Sequence, residues 1–237
     1  MSGIVGSRFN TRGSGLIGSV GTDGQVFTSS GAGVSHTFED VAGGKETLLS
    51  STTITSDTDT FDGDQLFPST YNNFVVDLIN ICTTDSGNQD MIMYMRSGGA
   101  GSESTYTGNV EYSRIRNHGS AGFNTDQQGG ASSTGGHMRF HLSGAVGNSD
   151  DVAGYYRCQL FNVHSKDPAG NSGVGYVHFL TECTATVAAA SYHYQGYNSG
   201  HIIATTDYTG FHLLFSTGDI RGANNPMINV YGVNNIV

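Results

Sequence analysis

Residues 21–38, which read Gly-Thr-Asp-Gly-Gln-Val-Phe-Thr-Ser-Ser-Gly-Ala-Gly-Val-Ser-His-Thr-Phe, constrain this chain more than any other stretch. Only Val26, Phe27, Val34 and Phe38 are large and apolar there, too few to make a core. Gly21, Gly24, Gly31 and Gly33 add conformational freedom that a lone chain would lose on ordering, with little burial to offset the loss. Such a segment gains order when several copies pack their few apolar side chains about a shared axis. The expectation is an oligomeric stalk with Val26, Phe27, Val34 and Phe38 at its axis, in a building block of an assembly rather than a monomeric enzyme.

Composition decides between disorder and β-structure for the rest. Glycine makes up 35 of 237 residues, and charged residues only 13% against about 25% in ordinary globular chains. The 12 Phe, 12 Tyr and regular Val/Ile runs supply a core, so β-structure wins. Net charge is −10 and the 10 Lys plus Arg are scattered, which leaves no basic stripe for nucleic acid or an anionic membrane. No apolar run reaches the length of about twenty residues that a membrane helix needs. Nor does the opening have the basic-then-apolar pattern of a secretory signal. Cys82, Cys158 and Cys183 are odd in number, far apart and match no zinc or redox spacing. They read as buried thiols on strands, in a chain made in a reducing cytoplasm.

Along the chain, residues 1–20 alternate small and apolar positions without a helical period and read as an extended anchor, with Ile4, Val5, Phe9, Leu16 and Ile17 as its apolar contacts. Residues 21–40 are the stalk element, and residues 41–66 a neck in which Leu48, Leu49 and Ile54 suggest one short strand. Residues 67–237 carry repeated strand signals broken by Gly, Pro, Asn and Asp clusters. The predicted strands are Asn73–Thr83, Gln89–Ser97, Thr105–Ile115, His137–Ser143, Tyr155–His164, Val174–Cys183, Ala190–Tyr197, Ile202–Thr205, Phe211–Ser216 and Met227–Val233. Met91, Met93 and Met95 share one strand face, with Ile92 and Tyr94 on the other. The fold class is all-β: an antiparallel, jelly-roll-like β-sandwich knob behind an extended anchor and a Gly-rich stalk.

The run Gly24-Gln-Val-Phe-Thr-Ser-Ser-Gly-Ala-Gly-Val34, ending in Phe38, resembles the "GTxGQVLTSxGAGxxPxW" element of trimeric phage fibres and related adhesins. Phe27 stands where Leu is usual, and Ser35-His-Thr-Phe38 replaces the Pro-Trp ending, each keeping an apolar or aromatic residue. Residues 1–18 resemble the start of small virion structural proteins of marine phages, and Met227–Val233 is similar to the last strand of β-sandwich knobs on such proteins. The resemblance implies a homotrimer located in the virion and assembled in the host cytoplasm. Residues 1–20 would contact another virion protein, and the knob would reach a host-surface glycan.

Several local patterns compete with that reading. Gly13-Ser-Gly-Leu-Ile-Gly18 matches a dinucleotide fingerprint by letter, but no hydrophobic strand precedes it and no helix follows. Asp57, Asp59, Asp62 and Asp64 approach a calcium-loop composition, although the third Asp is one position late and the closing Glu is missing. A bound calcium would make the knob a calcium-dependent lectin-like module, the alternative reading; otherwise the run is a solvated acidic turn. His137 and His141 share a strand face without an evident third ligand. Tyr192, Tyr194, Tyr197 and Asn198 suit either sugar stacking or subunit contact. A glycan-cleaving tailspike is the remaining alternative, but in residues 67–237 Glu is limited to Glu103, Glu111 and Glu182, and there is no Gly-x-Ser-x-Gly elbow. The expectation is no enzyme and no cofactor.

Overall fold

The computed structural model describes residues 25–28, 37–40, 46–85, 89–100, 103–106, 110–118, 137–140, 154–164, 175–187, 192–204 and 206–234. The chain divides into two units, Met1–Lys45 and Glu46–Val237. In the first, β1 (Gln25–Thr28) pairs antiparallel with β2 (Thr37–Asp40), setting Phe27 opposite Phe38 and Val26 opposite Glu39. Val34 and the anchor residues Ile4, Val5, Phe9, Leu16 and Ile17 lie outside the described residues.

The second unit opens with β3 (Glu46–Thr53), β4 (Thr60–Gly63), β5 (Asn73–Ile81), β6 (Met91–Ser97), β7 (Ser104–Thr105) and β8 (Val110–His118). It continues with β9 (His137–Phe140), β10 (Gly154–Phe161), β11 (Gly175–Val187), β12 (Tyr192–Ala204), β13 (Gly210–Phe215) and β14 (Met227–Val233). A large sheet of seven strands runs β3-β14-β5-β10-β11-β12-β8; a small sheet runs β4-β13-β6-β7, with β9 also paired to β6. Every described pairing is antiparallel.

The winding is that of a jelly roll. With β7, β8, β11 and β12 set aside, eight strands remain; in chain order the large sheet reads first–eighth–third–sixth and the small sheet second–seventh–fourth–fifth. That order is a double Greek key. The strands set aside are additions, of which β11, β12 and β8 widen the large sheet beyond β10.

Alternation along the strands makes the core. On β10, Tyr156, Cys158 and Leu160 point inward and are fully buried, as are Met93 and Met95 on β6 and Phe211 and Leu213 on β13. Phe67 joins the layers, its ring 4.5 Å from Phe74 of the large sheet and 5.8 Å from Phe211 of the small one. Phe140 and Tyr156 meet across the gap edge-on at 6.0 Å. Each fully buried side chain of this size stabilises the fold by about 1.5–3 kcal/mol. Close approach of β13 to β4 demands glycine at 210, where a Cβ would lie 2.1 Å from the carbonyl oxygen of Gly63.

Two sequence expectations change here. Residues 46–66 are not a neck, because β3 forms an edge of the large sheet on β14 and β4 an edge of the small sheet on β13. Their Thr- and Ser-rich sequence suits half-exposed edge strands, with Leu49 packed against the core and Leu48 turned out. Predicted strands Ala190–Tyr197 and Ile202–Thr205 belong to one strand, β12, paired without a break to β11 through Asn198, Ser199 and Gly200. All three cysteines are buried thiols, none of them in a disulfide; Cys158 and Cys183 sit on strands, while Cys82 follows β5. No helix among the described residues is long and apolar enough to cross a membrane.

Candidate functional site

Large apolar side chains left exposed are unevenly distributed. Among the described residues they are Leu48 on β3, Tyr155 and Phe161 on β10, Tyr176 and Leu180 on β11, Tyr197 on β12 and Met227 on β14. All belong to the large sheet. Cross-strand register assembles them into rows on the face turned away from the core. One row runs Leu48, Tyr231, Val75, Gln159, Leu180, Ser199, Ser113, from one edge strand to the other. A second runs Asn229, Asp77, Arg157, Glu182, Tyr197, and a third Phe161, His178, His201, Glu111.

Polar groups on this face are largely satisfied within the chain. Arg157 donates from one guanidinium nitrogen to both oxygens of Asp77, at 3.3 and 3.2 Å, and from the other to Glu46 at 2.5 Å. The Tyr155 hydroxyl donates to Asp77 at 3.1 Å. Burial raises the Asp77 carboxyl above its ordinary value despite the opposing charge of Arg157. For Arg157, burial acts against the charge, but hydrogen bonds with Tyr155 and Glu46 and the charge of Asp77 overcome it and hold the guanidinium protonated. Both pKa values rise, which works against charge on the more enclosed carboxylate, where desolvation dominates, and favours it on the guanidinium; the ion pair between them is intact. His201 lies 3.4 Å from Glu111, with the Tyr176 ring edge-on to it at 5.2 Å, and the hydroxyls of Ser113 and Ser199 are 3.3 Å apart.

The tyrosine cluster read from sequence is split by this geometry. Tyr197 is 51% exposed on the outer face, whereas Asn198 is 3% exposed and donates to Thr181 Oγ1 at 3.0 Å on the inner side. Adjacent strand residues face opposite ways, so these two cannot grip one ligand together. Tyr192 and Tyr194 lie on the same strand opposite Val187 and Ala185.

The acidic run is split as well. Asp57 accepts the Gly222 backbone N–H at 2.8 Å, and Asp59 accepts from Thr60 Oγ1 at 3.5 Å. Asp62 and Asp64 flank Arg96, at 2.8 and 2.7 Å from the same guanidinium nitrogen, and Asp62 also meets His212 Nδ1. Neither carboxylate is aligned for a good hydrogen bond to that nitrogen, so charge holds the cluster. Calcium needs six to eight convergent oxygens. These carboxylates are spent on an arginine and a backbone turn instead, and among the described residues no group of three His, Cys, Asp or Glu can hold a metal ion. The residues do not fit a calcium site.

His137 packs tilted against Tyr94, ring centroids 5.3 Å apart, and His141 lies outside the described residues. Glu111 engages His201. What sequence reading overlooked is the outer face itself; its signal was period-2 alternation in which both phases carry Tyr, Leu or Phe, as in Tyr155 and Tyr156 or Phe179 and Leu180. In comparison with known proteins, no family model matches the chain and no curated sequence matches it.

Proposed function

We propose that this chain is a bacteriophage virion structural protein, a homotrimeric short fibre, spike or capsid decoration appendage. Residues 1–20 attach it to a capsid or tail partner, residues 21–40 join three copies, and the jelly-roll body stands outside the particle. One observation carries the reading: a jelly-roll body follows a Gly-rich element resembling that of trimeric phage fibres. Jelly rolls serve as coats and as sugar-binding modules because two closed layers tolerate broad variation of their outer faces. The role is mechanical, and display in three copies multiplies a weak contact with a host-surface glycan.

The experiment is quantitative mass spectrometry of purified particles, paired with deletion of residues 1–20. Expected are peptides of this chain in the particle, in copy number divisible by three, and loss of incorporation by the deleted chain while it still forms a soluble trimer. Absence from particles, or undiminished incorporation after the deletion, would overturn the reading.

A further inference from the structure

We infer that the outer face of the large sheet docks a basic segment of another protein, whose arginine side chains lie on its exposed rings and reach its carboxylates. Such docking goes beyond the proposed function and does not depend on it.

Tyr155, Phe161, Tyr176, Leu180 and Tyr197 stand exposed on β10, β11 and β12. Exposed apolar side chains gathered on one face mark an association surface. Rings alone suit many occupants, so the charged groups between them decide.

Those groups carry a surplus of one sign. Among the described residues, the fixed charges of this face are the carboxylates of Glu46, Asp77, Glu111 and Glu182 and the single guanidinium of Arg157. Arg157 is shared by Asp77 and Glu46, so it balances one of the four carboxylates and leaves three. His201, beside Glu111, is not a fixed cation. Arg114 and Arg116 hold the register positions opposite Asn198 and Gly196, the phase that alternates with this face. Asp77 is enclosed, but Glu182 is half-exposed and the Glu111 side chain is 56% exposed, so both are open to a partner.

Register sets a carboxylate near a ring twice. Glu182 lies directly opposite Tyr197. Glu111 lies opposite His201, against which the Tyr176 ring packs edge-on. Guanidinium uses both features at once, its flat face stacking on a phenol ring while its edge donates to a carboxylate. The two rows cross β11 at Glu182 and His178, four residues or about 14 Å apart, which an extended peptide spans in as many residues.

The same surplus turns other occupants away. A second copy brings its own net charge of −10, and nucleic acid or an anionic membrane is repelled as well. A neutral glycan would use the rings and leave the charge unanswered.

The test measures fluorescence anisotropy of a labelled octapeptide of alternating arginine and serine, titrated with the full chain. Alternation puts all the arginines on one side of an extended peptide, at the two-residue spacing of the sheet's rows. Expected is saturable binding that weakens about fivefold in Tyr197→Ala and about threefold in Glu182→Gln. Asp59→Asn, which removes an exposed charge outside the large sheet, should leave it unchanged. Absence of binding would overturn the inference, as would binding that ignores both large-sheet variants. An equal loss in Asp59→Asn would reduce it to general attraction for an acidic chain, and so overturn it too. Self-association in sedimentation that Glu182→Gln strengthens and that shuts out the peptide would give the face to a second copy instead. Displacement of the peptide by neutral oligosaccharides would give it to a glycan, again against the inference.

Discussion

Tyr156 is fully buried between the sheets, and its hydroxyl finds no hydrogen-bond partner among the described residues. Burial pushes the phenol well above its ordinary range, so it stays neutral. An unmatched buried hydroxyl costs about 1–3 kcal/mol, and Phe has the same shape without it. Tyr156→Phe should therefore leave the melting temperature unchanged or raise it, whereas Tyr156→Ala should destabilise by about 3–5 kcal/mol. A clear fall for the Phe variant in thermal melts would mean that the hydroxyl has a partner. Thiol chemistry offers a second residue-level expectation. Burial pushes the Cys183 thiol up to about 12 and that of Cys158 higher still, and Cys82 has no exposed surface. A thiol-specific chromogenic reagent at pH about 8 should find almost no reactive cysteine in the folded protein, and all three after denaturation. Rapid reaction in the native state would contradict the packing described. Burial of the cysteines was legible from their spacing. The fate of Asp57, Asp59, Asp62 and Asp64 was not, because the arginine that occupies two of them lies on β6, far along the chain.

At the scale of the element, β4 and β13 lie so close that residue 210 has no room for a side chain. The obstacle is the backbone carbonyl of Gly63, which cannot rotate aside as a side-chain tip would. Gly210→Ala should cost about 2–3 kcal/mol and lower the denaturant midpoint without changing the slope. Gly232→Ala should cost less, because the group in its way is the ring of Tyr71. Equal losses for the two would refute this distinction. β10 was readable because buried and less buried residues alternate along it, and β5, β6 and β14 because short apolar runs sit between clear turn signals. β3 and β4 were not, since edge strands rich in Ser and Thr look like linker until their partners, β14 and β13, are known. The break read between Tyr197 and Ile202 is likewise closed, since β12 passes through Gly200 in full register with β11 and β8.

At the scale of the whole molecule, the all-β class and antiparallel layering followed from composition and periodicity. The widening of one sheet by β8, β11 and β12 did not, because which strands neighbour each other is a long-range outcome. The same holds for the apolar outer face: each exposed aromatic alone is unremarkable, and only register gathers them into rows. One feature of the winding governs how the body comes into being. β3, which opens the body, is hydrogen-bonded in the sheet to β14, the closing strand, and β14 also separates it from β5. Most of the body must be made before that seam can be sewn, so its folding is slow, on the millisecond-to-second scale of strongly non-local β topologies. A nascent chain stopped at residue 225 should be digested readily by protease while the finished chain resists, and β3 should be the last region to gain protection from hydrogen exchange during refolding. Early protection of β3 would show that a different strand holds it first. A cell making many copies at once would thus hold chains whose β3 and β5 edges stay unmated, open to pairing with one another, until β14 is made and seats between them.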